Sequence, residues 1–147
     1  MATIKKPKKI VLDNQLVEDF FFNDVRLIGI ASPLESYEFV YLVNQCFNFN
    51  FKRNHELMRS RDEIDFAAYD FFDTKKHANH IIYSNRNKTD FYLTELKNVD
   101  FIWMIDCQSN LSQLIKDSLE IIPKLKNSPY CFEIKIEQIK EKQLLLY

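Results

Sequence analysis

Two histidines three residues apart, His77 and His80 in DTKKHANH, stand just after Asp73 and are the residues best suited to hold a metal ion. On a helix that spacing would align both imidazoles beside the carboxylate. The segment leads instead into HIIYSN, which reads as a strand, where the two rings would point to opposite faces. With no third ligand in view, they read as exposed strand-end histidines, and no metal or other cofactor is expected. A thiol nucleophile is the next possibility, since Cys46, Cys107 or Cys131 would become one if folding brought it against His55. Nothing local separates such a thiol from a small core residue. The cysteines are odd in number, widely spaced and without a CxxC pair, which fits reduced core thiols of a cytoplasmic protein. Carboxylates cluster at Asp62, Glu63 and Asp65 and again at Asp100 and Asp106, but a solvated sheet face needs acids too. No catalytic residue is assigned.

Lys52, Arg53, Arg59 and Arg61 lie beside Phe47, Phe49 and Phe51, a mixture that can stack on and neutralise single-stranded nucleic acid. Core phenylalanines alternating with surface cations give the same pattern. The chain carries 20 Lys and Arg against 21 Asp and Glu, a net charge of −1, so no field draws the whole domain to nucleic acid or anionic lipid. Lys5, Lys6, Lys8 and Lys9 read as a solvated terminus. No apolar run approaches the ~18 residues a membrane span needs.

The single glycine, Gly29, compares with about ten in an average chain of this length. Backbone amides close around a phosphate where the chain takes φ > 0 or lacks a Cβ. A Walker loop, a GxGxxG turn and a GxSxG elbow are all absent.

The elements that must position these groups are legible in part. Residues 1–7 read as a flexible basic lead and 8–147 as one domain, with KKIVLD its first strand. FFFNDVRLIGI (20–30) is strand-like, with Asn23 and Asp24 marking a tight turn or a bulge. Ser32, Pro33 and Glu35 form a capping-box pattern that predicts a helix to about Cys46. That helix is apolar round more than one face, through Tyr37, Phe39, Val40, Tyr41, Leu42 and Val43. Its second face is covered by a loop or another helix, or else makes a subunit contact through Tyr37 and Tyr41. FNFKRN and EIDFAAYDFFD read as strands. HIIYSN and TDFYLT read as a hairpin joined by Asn85 to Lys88. FIWMI (101–105) does not alternate and belongs in the middle of the sheet. A second helix starts near Asn110 with the stripe Leu111, Leu114, Ile115, Leu119 and Ile122. YCFEIKIE alternates with Tyr130, Phe132, Ile134 and Ile136 inward, which predicts a sheet wet on one side. QIKEKQLLLY ends the chain as a short helix or an extended tail. The fold class is therefore α+β: two layers, a largely antiparallel sheet with two main helices packed on one face.

The stretch LTELKNVDFIWMID (93–106) sets Glu95 and Asp100 just before that central strand. Thr94 can cap one helical turn over Glu95 to Asn98, and both acids would then hold the loop and keep the strand mouth solvated. Alternatively they form a polar lip beside an apolar groove that accepts a partner or a ligand amine. The stretch resembles the signature of the bacterial IPExxxVDY family, with Leu93, Thr94, Glu95, Val99, Asp100 and Phe101 at the matching positions. Glu95, Val99 and Asp100 match outright and the other three are substitutions. LIGIAS, YEFVYLVNQ and FEIKIEQIKEKQLLLY are similar to that family as well. The family is named for its signature and the resemblance implies no activity. Thr94 in place of proline removes a fixed φ. Phe101 in place of tyrosine removes the hydroxyl, leaving a ring that can only pack.

These readings favour a non-enzymatic protein-interaction or scaffold module of the cytoplasm, with a homodimer as one form and the identity of any partner open. A small-ligand binder or minor enzyme, with its pocket beside the Glu95–Asp100 turn, is the alternative.

Overall fold

FIWMI lacks alternation because it is covered on both sides. The structure, a computed structural model, describes residues 21–146. The basic lead, the KKIVLD strand and Lys5, Lys6, Lys8 and Lys9 lie outside the described residues. Strand β1 is Val25–Ala31, helix α1 Ser36–Phe47, β2 Lys52–Arg53, β3 Arg59–Arg61, β4 Ile64–Phe66 and β5 Ala68–Asp73. They are followed by β6 Ala78–Ser84, β7 Arg86–Asn87, β8 Asp90–Phe91, β9 Phe101–Asp106, helix α2 Ser112–Ile121 and β10 Tyr130–Ile134. Six strands form one antiparallel sheet in the order β10-β1-β9-β6-β5-β2. With α1 and α2 as the two α-helices among the described residues, the fold is α+β, as the sequence predicts.

Each residue of β9 serves one face. Phe101, Trp103 and Ile105 pack with Ile28 and Ile30 of β1 under Phe39, Val40 and Val43 of α1 and Leu114 and Ile115 of α2. Ile102 and Met104 point the other way, with Leu27, Ile81 and Tyr83. Both helices therefore lie on one side of the sheet. The opposite side is not wet, as the alternation of β10 had implied. Tyr92, Leu93, Val99, Ile139 and Leu145 cover it, from the segments in and beside the 3-10 turns Thr94–Leu96, Ile136–Gln138 and Lys142–Leu145. Tyr130 is also not inward: it is 65% exposed, and Phe132 and Ile134 alone of that strand pack on the second face.

Gly29 is a packing glycine and not a turn glycine. A Cβ there would stand 2.9 Å from Ile134 Cδ1 and 3.2 Å from Phe132 Cζ. The chain finds positive φ elsewhere without glycine, at Asn48, Asp62, Glu63, His77, Lys88, Asn127 and Ser128. Scarcity of glycine therefore does not confine the backbone to φ < 0, which corrects the premise drawn from composition.

Three local expectations are corrected. Helix α1 starts four residues after Ser32, with Glu35 as an extended N-cap that makes no side-chain capping bond. Ser32 is committed elsewhere: its N–H donates to Asp100 Oδ2 (2.7 Å) and its Oγ accepts from Leu34 N–H (3.2 Å). The HIIYSN–TDFYLT hairpin does not form, because β6 pairs with β5 and β9. Only Arg86–Asn87 and Asp90–Phe91 pair locally. EIDFAAYDFFD breaks at Ala67 into β4 and β5. Asn23–Asp24 is a turn preceding β1, and the C-terminal stretch holds two 3-10 turns, Ile136–Gln138 and Lys142–Leu145.

Candidate functional site

The residues from Leu93 to Phe101 build a clasp. Leu93, Val99 and Phe101 are core residues, and Phe101 stacks on Phe39 with ring centres 4.6 Å apart. Thr94 does not cap: it opens a 3-10 turn, Thr94–Leu96, whose closing bond runs from Leu96 N–H to Leu93 O (3.0 Å). Two residues read from sequence as hairpin loop hold this turn. Asn85, fully buried, accepts from Leu93 N–H (2.8 Å) and donates to Leu96 O (3.0 Å) and Val99 O (2.9 Å). Arg86 Nε donates to Asp100 Oδ1 (2.5 Å).

Glu95 and Asp100 face different neighbours. Glu95 accepts from the backbone N–H groups of Lys140 (3.0 Å) and Glu141 (2.9 Å) and ties the C-terminal stretch to the turn. Asp100 joins the end of β1, through Ser32 N–H, to Arg86. Each acid is held by backbone donors or a guanidinium, as a structural carboxylate is. Glu95→Ala is expected to raise amide hydrogen exchange at Lys140 and Glu141 about tenfold or more while lowering global stability by less than about 1 kcal/mol, because the lost bonds are exposed and local. Exchange mass spectrometry reads both.

Asp100 also lines a cleft of about 410 Å³ with Phe101, between the start of α1 and the β7 strand. Six charged side chains border it: Glu35, Arg53, Asp65, Arg86, Lys88 and Asp100. Glu95 is not among them, so the two acids do not form one lip, and the cleft is polar where an apolar groove was expected. Ser36 Oγ, at its rim, hydrogen-bonds to Tyr69 Oη (3.0 Å).

The histidines part company. His77 sits at a turn with φ 49°, exposed and edge-on to Phe72. His80 is fully buried, not exposed, among Phe49, Phe51, Phe71 and Trp103. Its Nδ1 accepts from Trp103 Nε1–H (3.1 Å) and its Nε2 has no hydrogen-bond partner among the described residues. Burial lowers its pKa from 6.5 to about 4; the Asp73 charge opposes the shift and Lys76 adds to it. Among the described residues no three His, Cys, Asp or Glu side chains are grouped to hold a metal.

The thiols are free and differently placed. Cys46 is exposed, which corrects its reading as a core residue. Cys107 is buried and donates to Lys76 O (3.5 Å). Cys131 is half-buried with Sγ near Ser118 O and Leu119 O, and burial pushes its pKa up. Burial, with Asp24 nearby, raises the pKa of Asp106.

The cations beside the phenylalanines are split up. Arg59 lies over the Tyr83 ring (5.1 Å) and donates to its hydroxyl, and Arg61 donates to Tyr92 O (2.7 Å). Lys52 and Arg53 are exposed, while Phe51 is buried and Phe47 and Phe49 are half-buried. On α1, Tyr37 and Tyr41 are 65% and 60% exposed, and Tyr41 Oη accepts from Gln45 Nε2 (2.7 Å). Among the described residues no helix is long and apolar enough to cross a membrane.

No family model matches the chain, and no curated protein matches it.

Proposed function

We propose that the chain is a non-enzymatic protein-interaction or scaffold module of the cytoplasm, and that the outer face of α1 is the surface it offers, with a second copy of the chain as the partner. The observation that carries this reading is the pair Tyr37 and Tyr41. They stand one turn apart, both mostly in water, on a helix whose other side is buried through Phe39, Val40 and Val43. Exposed tyrosines supply large amphipathic contact area at little entropic cost, and paired helix faces of this kind suit a two-fold contact in which each ring meets its own copy. The use of Glu95 and Asp100 as structural ties supports a role other than catalysis at the signature. Resemblance to the IPExxxVDY family belongs to the same proposal, with the motif as the clasp of the fold.

Sedimentation velocity over a concentration series tests the reading. The wild-type chain is expected to run as a dimer. Tyr41→Glu is expected to run as a monomer with its melting temperature within about 2 °C, since surface substitutions away from special contacts move stability by about 0.5 kcal/mol or less. A wild type that stays monomeric throughout, or a variant that keeps its dimeric mass, overturns the α1 contact.

A further inference from the structure

We infer that the cleft beside Asp100 binds a small zwitterion of the amino-acid or short-peptide class, its carboxylate taken by Arg53 and Lys88 and its ammonium by Glu35 and Asp65. The inference is independent of the α1 contact. Its starting point is which of the six bordering charges are already spent. Arg86 and Asp100 neutralise each other across 2.5 Å, and Asp100 also takes Ser32 N–H. Asp65 accepts from Ser60 Oγ through Oδ1 (2.6 Å). The side chains of Arg53, Lys88 and Glu35 make no hydrogen bond or ion pair among the described residues. Two cations and two carboxylates, one of them partly engaged, therefore remain to meet a ligand.

Those charges select by sign. A dianion such as inorganic phosphate would meet Arg53 and Lys88 but also face the carboxylates of Glu35 and Asp65, and a cation alone would leave both bases unanswered. A molecule with one charge of each sign answers both sets. At about 410 Å³ the cleft lies near the lower end of the range of small-molecule sites, which suits an amino acid or dipeptide. Lys88 is held at φ 55° in the β7–β8 turn, so the backbone fixes where its side chain leaves the turn.

Isothermal titration calorimetry at low salt tests this, with glycine, glycylglycine, acetate, methylammonium and inorganic phosphate as separate probes. Glycine or glycylglycine is expected to bind at least about tenfold tighter than acetate or methylammonium, and which of the two binds better separates a free amino acid from a peptide. Arg53→Ala and Lys88→Ala are each expected to weaken it about tenfold or more, the loss of one charge-assisted hydrogen bond, without moving the melting temperature. Acetate or phosphate binding as tightly as the zwitterions overturns the ligand class and leaves an anion site. No heat from any probe overturns the cleft as a small-ligand site altogether. Unchanged zwitterion binding in both variants overturns the assignment of the carboxylate to this pair.

Discussion

Replacing Asn85 with alanine is expected to lower the stability of the chain by about 4 kcal/mol and its melting temperature by about 10–15 °C. The side chain is fully buried and makes three hydrogen bonds to the turn between Leu93 and Val99. Its loss is not shared equally among them. Leu96 O still accepts from Val99 N–H, at 3.0 Å. Leu93 N–H and Val99 O lose the side-chain partner that held them, in residues with no solvent exposure. Each orphaned backbone group costs about 1–3 kcal/mol, and the cavity left by the amide adds to that. Against a total of about 5–15 kcal/mol for a domain, this is among the most damaging single changes the chain can suffer. Chemical denaturation measures it, and a loss under about 1 kcal/mol would show that the turn does not depend on Asn85.

Acid is expected to cost a further about 3 kcal/mol through His80 alone. The unfolded chain binds a proton at this ring near pH 6.5 and the folded chain only near 4, so the unfolded state holds more protons between those values. Stability contributed by the neutral ring is complete above about pH 6.5, falls as the pH drops towards 4, and falls no further below that. The gap, at about 1.4 kcal/mol per pH unit, sets the size. Geometry supplies the cause: Nδ1 accepts the Trp103 indole proton, so a second ring proton placed there would set two donors against each other. The measurement is the difference between denaturation curves of wild type and His80→Phe from pH 7 to 4. That difference isolates His80 from Asp106, whose raised pKa works in the opposite direction. A constant difference across the range would count against the buried neutral ring. Trp103, the one tryptophan in the chain, provides the fluorescence signal.

Features governed by near neighbours could be read from the sequence. The central place of β9 followed from five unbroken apolar residues, and α2 from a stripe at helical spacing that ends near Pro123. The start of α1 could not, because the pattern at Ser32 is a good capping box and the competitor for its N–H, Asp100, lies 68 residues away. Glu95 and Asp100 stand out in the sequence as a pair but their separate duties do not, since the stretch that Glu95 holds is 45 residues distant. NRNK has the polarity of a loop, and nothing in it tells a buried Asn85 from an exposed one. The burial of His80 is hidden for a similar reason: the rings that enclose it come from the segment after α1 and from β5 and β9, so its own neighbours in sequence carry no sign of it.

The order of strands has a consequence for synthesis on the ribosome. β1, VRLIGIA, is made well before its partners, since both of its neighbours, β9 and β10, lie beyond residue 100. At about 5–20 residues per second, an apolar strand with two open edges waits roughly 4–14 s for its first partner to be translated. Until then the nascent chain carries a sticky ribbon that invites pairing with other chains, and its yield in a cell depends on whatever shields that ribbon during elongation.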